Sequence, residues 1–171
     1  MRLRLHLATV EQAPEISALR LAVAGRLTAQ FGPGPWSQSS TVQGVLYDLR
    51  HSVVYFATRR KQIIATLTLR TKKPWSINPA CFTGCRLPLY LVSMAVAPAV
   101  QRTGVGRACL AAAEKIAAAW PADFIRLDAY DAAAGAGGFY RRCGFREIGR
   151  AAYRGVPLIY FERRLDSIKH V

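Results

Sequence analysis

One stretch of this chain carries the residue types needed to hold a polyanion: Val96-Ala-Pro-Ala-Val-Gln101-Arg102-Thr103-Gly104-Val105-Gly106-Arg107. A strand pattern ends, a short loop follows, and a helical pattern begins. The head of a helix presents N–H groups without intrahelical partners and the positive end of its dipole. Gly104 and Gly106 let the backbone approach a ligand with no Cβ in the way, and Arg102 and Arg107 add charge. Such a loop is a pyrophosphate cradle by construction, although glycine-rich strand–helix turns also serve packing alone. Two better-known patterns do not fit. A nucleotide P-loop needs Gly-Lys-Ser/Thr, and here Gly106 is followed by Arg107 and Ala108. A dinucleotide fingerprint has its first glycine close behind the strand; here Ala97–Thr103 intervene, although Asp128 lies at a suitable distance beyond.

A second candidate is Phe139-Tyr140-Arg141-Arg142-Cys143-Gly144-Phe145. Tyr140 offers a phenolic proton, and Gly144 sits where a helix C-terminal glycine belongs. Other reactive types are scattered. Cys81 and Cys85 form C-x-x-x-C, which is not a zinc spacing, and His6, His51 and His170 lie far apart, so no metal site is expected. Cys109 and Cys143 fall on helical positions that packing explains better than a nucleophile's role. The four cysteines read as reduced thiols in a cytoplasm. The N-terminus MRLRLHLATV has no continuous apolar run for a secretory signal, and no segment approaches the ~20 apolar residues of a membrane span.

These residues need a frame. The chain has 171 residues, 51% hydrophobic and 20% charged, which suits one folded domain and excludes a disordered tail protein. The pattern predicts a strand over Arg2–Leu7, a Thr9/Gln12 capping box, and a helix with Ile16, Leu19 and Val23 buried. Phe31–Ser40, dense in Gly, Pro and Ser, predicts a loop. Val42, Val45, Leu46 and Leu49 mark a second helix. Val53–Thr58 and Ile63–Thr71 read as a hairpin whose turn lacks the usual glycine. Lys72–Arg86 reads as an irregular connection. Tyr90–Val96 is mostly apolar, which predicts burial on both faces. Cys109, Leu110, Ala113, Ile116, Ala117 and Trp120 form a helical stripe stopped by Pro121. A strand follows over Phe124–Ala129, then a helix from about Ala132 to Arg142, with Asp131 as its N-cap. Glu147–Tyr153 and Val156–Phe161 pair through Arg154–Gly155. The order β-α-α-β-β-β-α-β-α-β-β predicts a single α/β domain over 1–171 with a mixed central sheet.

The arrangement as a whole is similar to the GCN5-related N-acetyltransferase (GNAT) family, from Arg2 to about Leu165. Gln101-x-x-Gly104-x-Gly106 after Met-Ala-Val-Ala-Pro matches one motif of that family, and Phe139-Tyr140 with Gly144-Phe145 matches another. The resemblance implies seven strands and four helices, with acetyl-CoA in a cleft between splayed strands Tyr90–Val96 and Phe124–Ala129. It implies that backbone groups of Gln101, Arg102, Thr103, Gly104, Val105 and Gly106 hold the CoA pyrophosphate, with Arg102 and Arg107 supplying charge, and that Met94 and Val96 pair with the pantetheine arm. Tyr140 is then the general acid for the departing thiolate. Ala133 stands where the family often has an asparagine, and the resemblance implies that it joins the CoA-binding set through its backbone rather than its side chain. Tyr90–Val96 lacks the carboxylate that some members use as base, which leaves Asp128 as the nearest candidate beside a water-mediated route. Phe31, Trp36, Tyr90 and Tyr130 are candidates to line the acceptor site.

The implied activity is acetyl transfer from acetyl-CoA, as co-substrate, to a primary amine of a small molecule or peptide, in a ternary complex. Members of the family often dimerise. Two other readings stand beside it. A non-catalytic acyl-CoA-binding domain of the same fold is favoured by the absent strand carboxylate and disfavoured by Tyr140. A nucleic-acid-binding protein is suggested by charge alone: 24 Lys and Arg, 19 of them Arg, against 10 Asp and Glu give +14. The basic residues are spread along the chain rather than concentrated on one helix, so this reading ranks last, and a steep salt dependence of binding would be its mark.

Overall fold

Thr9 opens the first helix as its spacing with Gln12 predicts. In a computed structural model that describes residues 3–37 and 40–165, its N–H and hydroxyl both donate to Gln12 Oε1 at 2.9 Å. One turn of 3-10 helix, Val10–Gln12, then leads into helix α1, Ala13–Phe31, with Pro14 in its first turn. Strand β1 is short, His6–Leu7, with Arg4 outside it; Arg2 lies outside the described residues, as does His170. Helix α2, Val42–His51, is capped by Thr41, whose hydroxyl accepts from the Gly44 N–H at 3.0 Å.

Among the described residues, seven strands form a mixed sheet in the order β1-β2-β3-β4-β5-β7-β6. They are β1, β2 (Val53–Arg59), β3 (Gln62–Arg70), β4 (Pro88–Val96), β5 (Phe124–Tyr130), β6 (Arg146–Tyr153) and β7 (Val156–Arg164). Helices α3 (Val105–Ala119) and α4 (Gly137–Arg142) bring the α-helices of the described residues to four. Contacts cluster into two units, Met1–Arg70 with Ser93–Ala113, and Thr71–Val92 with Glu114–Val171.

In the first unit, Ile16 and Leu19 of α1 and Val45 of α2 pack with Val54, Ile63 and Ala95. Each such side chain taken out of water contributes roughly 1.5–3 kcal/mol before entropy is charged against it. Glu15 Oε1 accepts from the Ile63 N–H at 2.7 Å and ties α1 to the start of β3. The β2–β3 hairpin turns through Arg60 and Lys61, at φ 51° and 67°. Two left-handed residues make the turn that matches strand twist, achieved here without glycine.

In the second unit, β4 and β5 are parallel, with Pro88, Leu89 and Tyr90 paired to Phe124, Ile125 and Arg126. β5 and β7 are antiparallel, and β6 pairs with β7 through the left-handed Arg154 and Gly155. Ile77, Phe82, Tyr90, Leu158 and Tyr160 form one core cluster. Buried Glu162 on β7 ties down the connection before β4. It accepts from the Thr83 N–H and hydroxyl and pairs with Arg146. Burial alone would push that carboxyl up, but these donors hold it below the usual carboxylate range.

Three expectations need correction. β4 is not buried on both faces throughout: Leu89, Tyr90 and Leu91 are buried, but Ser93 is exposed and left-handed at φ 51°, which interrupts the strand's alternation. The helix expected over 132–142 is only the six residues of α4. A Cβ at Gly135 would lie 1.8 Å from the Tyr130 carbonyl oxygen, so the chain folds back on itself there instead of winding. Consequently Asp131 is no helix cap; it pairs with Arg150 Nε at 3.0 Å, and Ala136 occupies the N-cap.

Candidate active site

The turn from β4 into α3 is built to present backbone. Pro98–Val100 makes a single 3-10 turn, and the Val100 N–H donates to the Ala97 carbonyl at 3.0 Å. Arg102 and Gly104 then take left-handed conformations at φ 63° and 89°. Helix α3 starts at Val105, and the first amide to bond back along it is that of Ala108, to Gly104 O at 3.0 Å. The amides of Val105 and Gly106 therefore lie ahead of the first closed turn, at the positive end of the helix.

Side chains brace this turn. Gln101 Nε2 donates to Val96 O at 2.9 Å, and the Thr103 hydroxyl donates to Val100 O at 2.7 Å. The side chains of Gln101 and Thr103 thus hold the loop's shape. Arg102, Thr103, Gly104 and Arg107 are exposed and Val105 is buried as the anchor of the helix, while Gly106 is half-buried. A Cβ at Gly104 would meet no protein atom within 4 Å. These features fit a polyphosphate: amides at a helix head, two glycines, and guanidinium groups on the same turn. Met94 and Val96 are half-buried on β4, after the kink at Ser93.

In the same unit, Phe31 ends α1 and meets the Trp36 ring edge-on at a centroid distance of 6.5 Å. Trp36 Nε1 donates to Thr28 Oγ1 at 3.1 Å. Its ring covers Gly34, where a Cβ would lie 2.5 Å from it, so glycine is what allows the indole to lie on the main chain. These two aromatic candidates form one structured corner.

The second unit gathers the acid–base candidates. Tyr140 is buried on α4 among the rings of Phe139, Phe145 and Phe161, with centroids 5.2, 5.6 and 5.9 Å away. The helix ends on left-handed Gly144 (φ 84°). The Gly144 N–H donates to Arg141 O at 3.0 Å and the Phe145 N–H to Tyr140 O at 3.1 Å, the Schellman pattern. This closure fixes the backbone that carries Tyr140. Burial raises the phenol's pKa well above its ordinary value, and the negative charges available to Asp128 and Cys143 raise it further. Tyr140 therefore stays protonated throughout the physiological range.

Asp128, on β5, is close enough for its charge to act on Tyr140 and on Tyr160. Burial pushes its carboxyl above the ordinary aspartate value, opposed by hydrogen bonds from the Ser76 side chain and its own backbone. The Ser76 segment is held from behind: the Tyr160 hydroxyl donates to Ser76 O at 2.5 Å and accepts from the Asn78 N–H at 3.2 Å. Sequence reasoning missed Ser76, Asn78 and Tyr160. They lie in an irregular connection and on a strand, with no spacing that marks them.

The remaining candidates separate by burial. Tyr90 is 3% exposed and belongs to the core cluster with Ile77 and Leu158, so it packs rather than lines a surface. Tyr130 is half-buried at the end of β5, opposite Leu158. Ala133 is exposed in the turn after β5, outside any helix. Cys109 is buried, and burial holds its thiol at a pKa of about 11, so it is no thiolate at neutral pH. Among the described residues no cluster of His, Cys, Asp and Glu could hold a metal ion, and no helix is long and apolar enough to cross a membrane.

A model of the acetyltransferase (GNAT) family matches residues 23–145. Among solved structures, a GNAT-family acetyltransferase from Listeria monocytogenes 4b F2365 aligns with a TM-score of 0.73 at 17% identity, over 95% of this chain and 95% of that one. The ribosomal-protein-S18-alanine N-acetyltransferase from Escherichia coli gives 0.71 at 14% identity, over 98% and 97%. A ribosomal-protein-alanine N-acetyltransferase from Brucella melitensis gives 0.69 at 20% identity, over 95% and 100%. At these identities the likeness is one of fold. No curated protein sequence matches the chain significantly.

Proposed function

Since the chain belongs to the acetyltransferase (GNAT) family, whose members use acetyl-CoA, we propose that it transfers an acetyl group from acetyl-CoA to a primary amine by direct attack in a ternary complex. The observation that carries this reading is the β4–α3 turn, where left-handed Gly104 leads into the head of α3. The main chain of Gln101–Gly106 binds the donor's pyrophosphate, Arg102 and Arg107 add charge, and the backbone at Met94 and Val96 pairs with the pantetheine arm.

In the reaction, the amine nitrogen attacks the thioester carbonyl carbon; a C–N bond forms and the C–S bond breaks. The ammonium proton must leave first or during attack, and Asp128 accepts it. A carboxyl whose pKa is raised by burial is a better base than an ordinary aspartate. The departing sulfur is met by the Tyr140 hydroxyl. A phenol with so high a pKa gives up its proton to a thiolate only at a cost, because a free thiol titrates near about 8.5. Tyr140 thus acts chiefly as a hydrogen-bond donor to developing negative charge, a contact that contributes about 1.5–3 kcal/mol. The closeness of Asp128 and Tyr140 favours an enzyme over a passive acyl-CoA binder.

The acceptor is an amine of a small molecule or a peptide. Peptide amines have the support of two structural neighbours whose names specify ribosomal-protein alanine. The test is calorimetric titration with acetyl-CoA, beside free CoA and ATP. Micromolar binding of acetyl-CoA and CoA in preference to ATP is expected, and would be followed by an acceptor screen scored by CoA release. Failure of acetyl-CoA to bind at low salt would overturn the reading.

A further inference from the structure

We propose that the tip of the β2–β3 hairpin is a phosphomonoester site, and that its ligand is the 3′-phosphate of the CoA donor. This rests on the acetyl-CoA reading above. Arg59, Arg60, Gln62, Ile64 and Val100 line a cavity of about 310 Å³. Val100 closes the 3-10 turn immediately before Gln101, so the cavity begins where the candidate pyrophosphate loop begins. The Ala97 N–H donates to Ile64 O at 2.8 Å and pins the start of β3 against that segment. The hairpin tip is therefore a fixed neighbour of the loop.

Its charge has no counterpart among the described residues. Among the described residues, Arg59, Arg60 and Lys61 make no ion pair and no side-chain hydrogen bond. Two of the three carboxylates of the same unit are employed elsewhere: Asp48 pairs with Arg20 at 2.9 Å, and Glu15 accepts from the Ile63 N–H; the third, Glu11, makes no ion pair with the hairpin tip. Arg60 and Lys61 also hold left-handed conformations that Asn-Gly would adopt with less strain. The turn thus keeps two long cations where backbone preference asks for small residues. Arginine forks match phosphate oxygens bidentately. CoA carries a pyrophosphate and, one ribose away, a 3′-phosphate, which matches two adjoining cationic places.

The test compares CoA with dephospho-CoA, which lacks only the 3′-phosphate, by calorimetry. The wild-type protein is expected to bind CoA about tenfold more tightly, a preference that shrinks as salt is raised. The Arg59→Ala/Arg60→Ala double variant loses that preference, and Arg60→Glu reverses it or removes it. Equal wild-type affinities, or a preference that survives in both variants, would overturn the site and leave the acetyl-CoA reading standing. An equal loss for both ligands in the variants would also overturn it. Failure of the wild type to bind either ligand would overturn the acetyl-CoA reading itself.

Discussion

Around Gly104 the candidate site is made of main chain from consecutive residues; around Tyr140 it is made of side chains drawn from Ser76, Asp128, Tyr140 and Tyr160. The first region is exposed, and its proposed role rests on amide direction and helix polarity. The second is buried at Tyr140 and half-buried at Asp128, and its proposed role rests on shifted protonation. Tyr140 and Asp128 are both pushed toward their neutral forms, whereas the β4–α3 turn gathers positive charge in the open. A binding loop tolerates water because the polyanion brings charge enough to be attracted through it. A proton-handling pair gains from burial, since desolvation raises the pKa of a carboxyl and of a phenol alike.

The contrast makes separable predictions. The largest effect is expected at the loop. Gly104→Glu places a side chain at φ 89° and a negative charge beside the donor's phosphates. No protein atom lies within 4 Å of that Cβ, so the fold accommodates it at about 1–2 kcal/mol of backbone strain. Acetyl-CoA affinity should fall by about 100-fold or more, from lost amide contacts and like-charge repulsion; titration calorimetry reads it directly, and unchanged affinity would break the assignment of the loop. Tyr140→Phe should leave acetyl-CoA affinity in place and lower kcat by about 10–100-fold in the CoA-release assay, the value of one hydrogen bond to developing charge. A matching loss of binding would instead make Tyr140 a packing residue.

Asp128→Asn tests the same region through pH. In the wild type, the acid limb of kcat/KM should lie above the ordinary aspartate range, in the direction that burial moves this carboxyl; the variant should lose that limb. The smallest effect is on stability. A carboxyl whose pKa is raised on folding contributes stability that is fully present below its unfolded value, about 3.9, and lost as pH rises through its folded value. Thermal unfolding should therefore show the asparagine variant gaining on the wild type as pH rises toward neutrality, by roughly 2–4 °C for each kcal/mol. A variant that instead falls behind at neutral pH would mean that ionised Asp128 is stabilised by partners, which would weaken its case as a base.

Local pattern decided much of the frame. The Thr9/Gln12 box, the α2 stripe capped by Thr41, the Gly144 helix stop and the Arg154–Gly155 turn are short-range arrangements, and each forms where its residues predict. The Gln101–Gly106 loop was legible for the same reason: its function needs neighbouring amides, and neighbours in space are there neighbours in sequence. The Arg60–Lys61 turn was placed correctly although its residues disfavour it, because the flanking strands pair and dictate the twist. Local reasoning failed where distant chain intervened. Gly135 sits against the Tyr130 carbonyl, which stopped the helix expected from Ala132. Tyr90, a plausible surface aromatic by type, was drawn into a core with Ile77 and Leu158. Ser76 and Tyr160 joined Asp128 only through the folding of a connection with no periodicity. Amide direction, capping and strand alternation are set within a few residues, so the sequence alone marks out the left-handed loop and helix head at Gln101–Gly106. Burial and protonation depend on what packs around a group from elsewhere, and for Tyr140 and Asp128 only the tertiary structure supplies that.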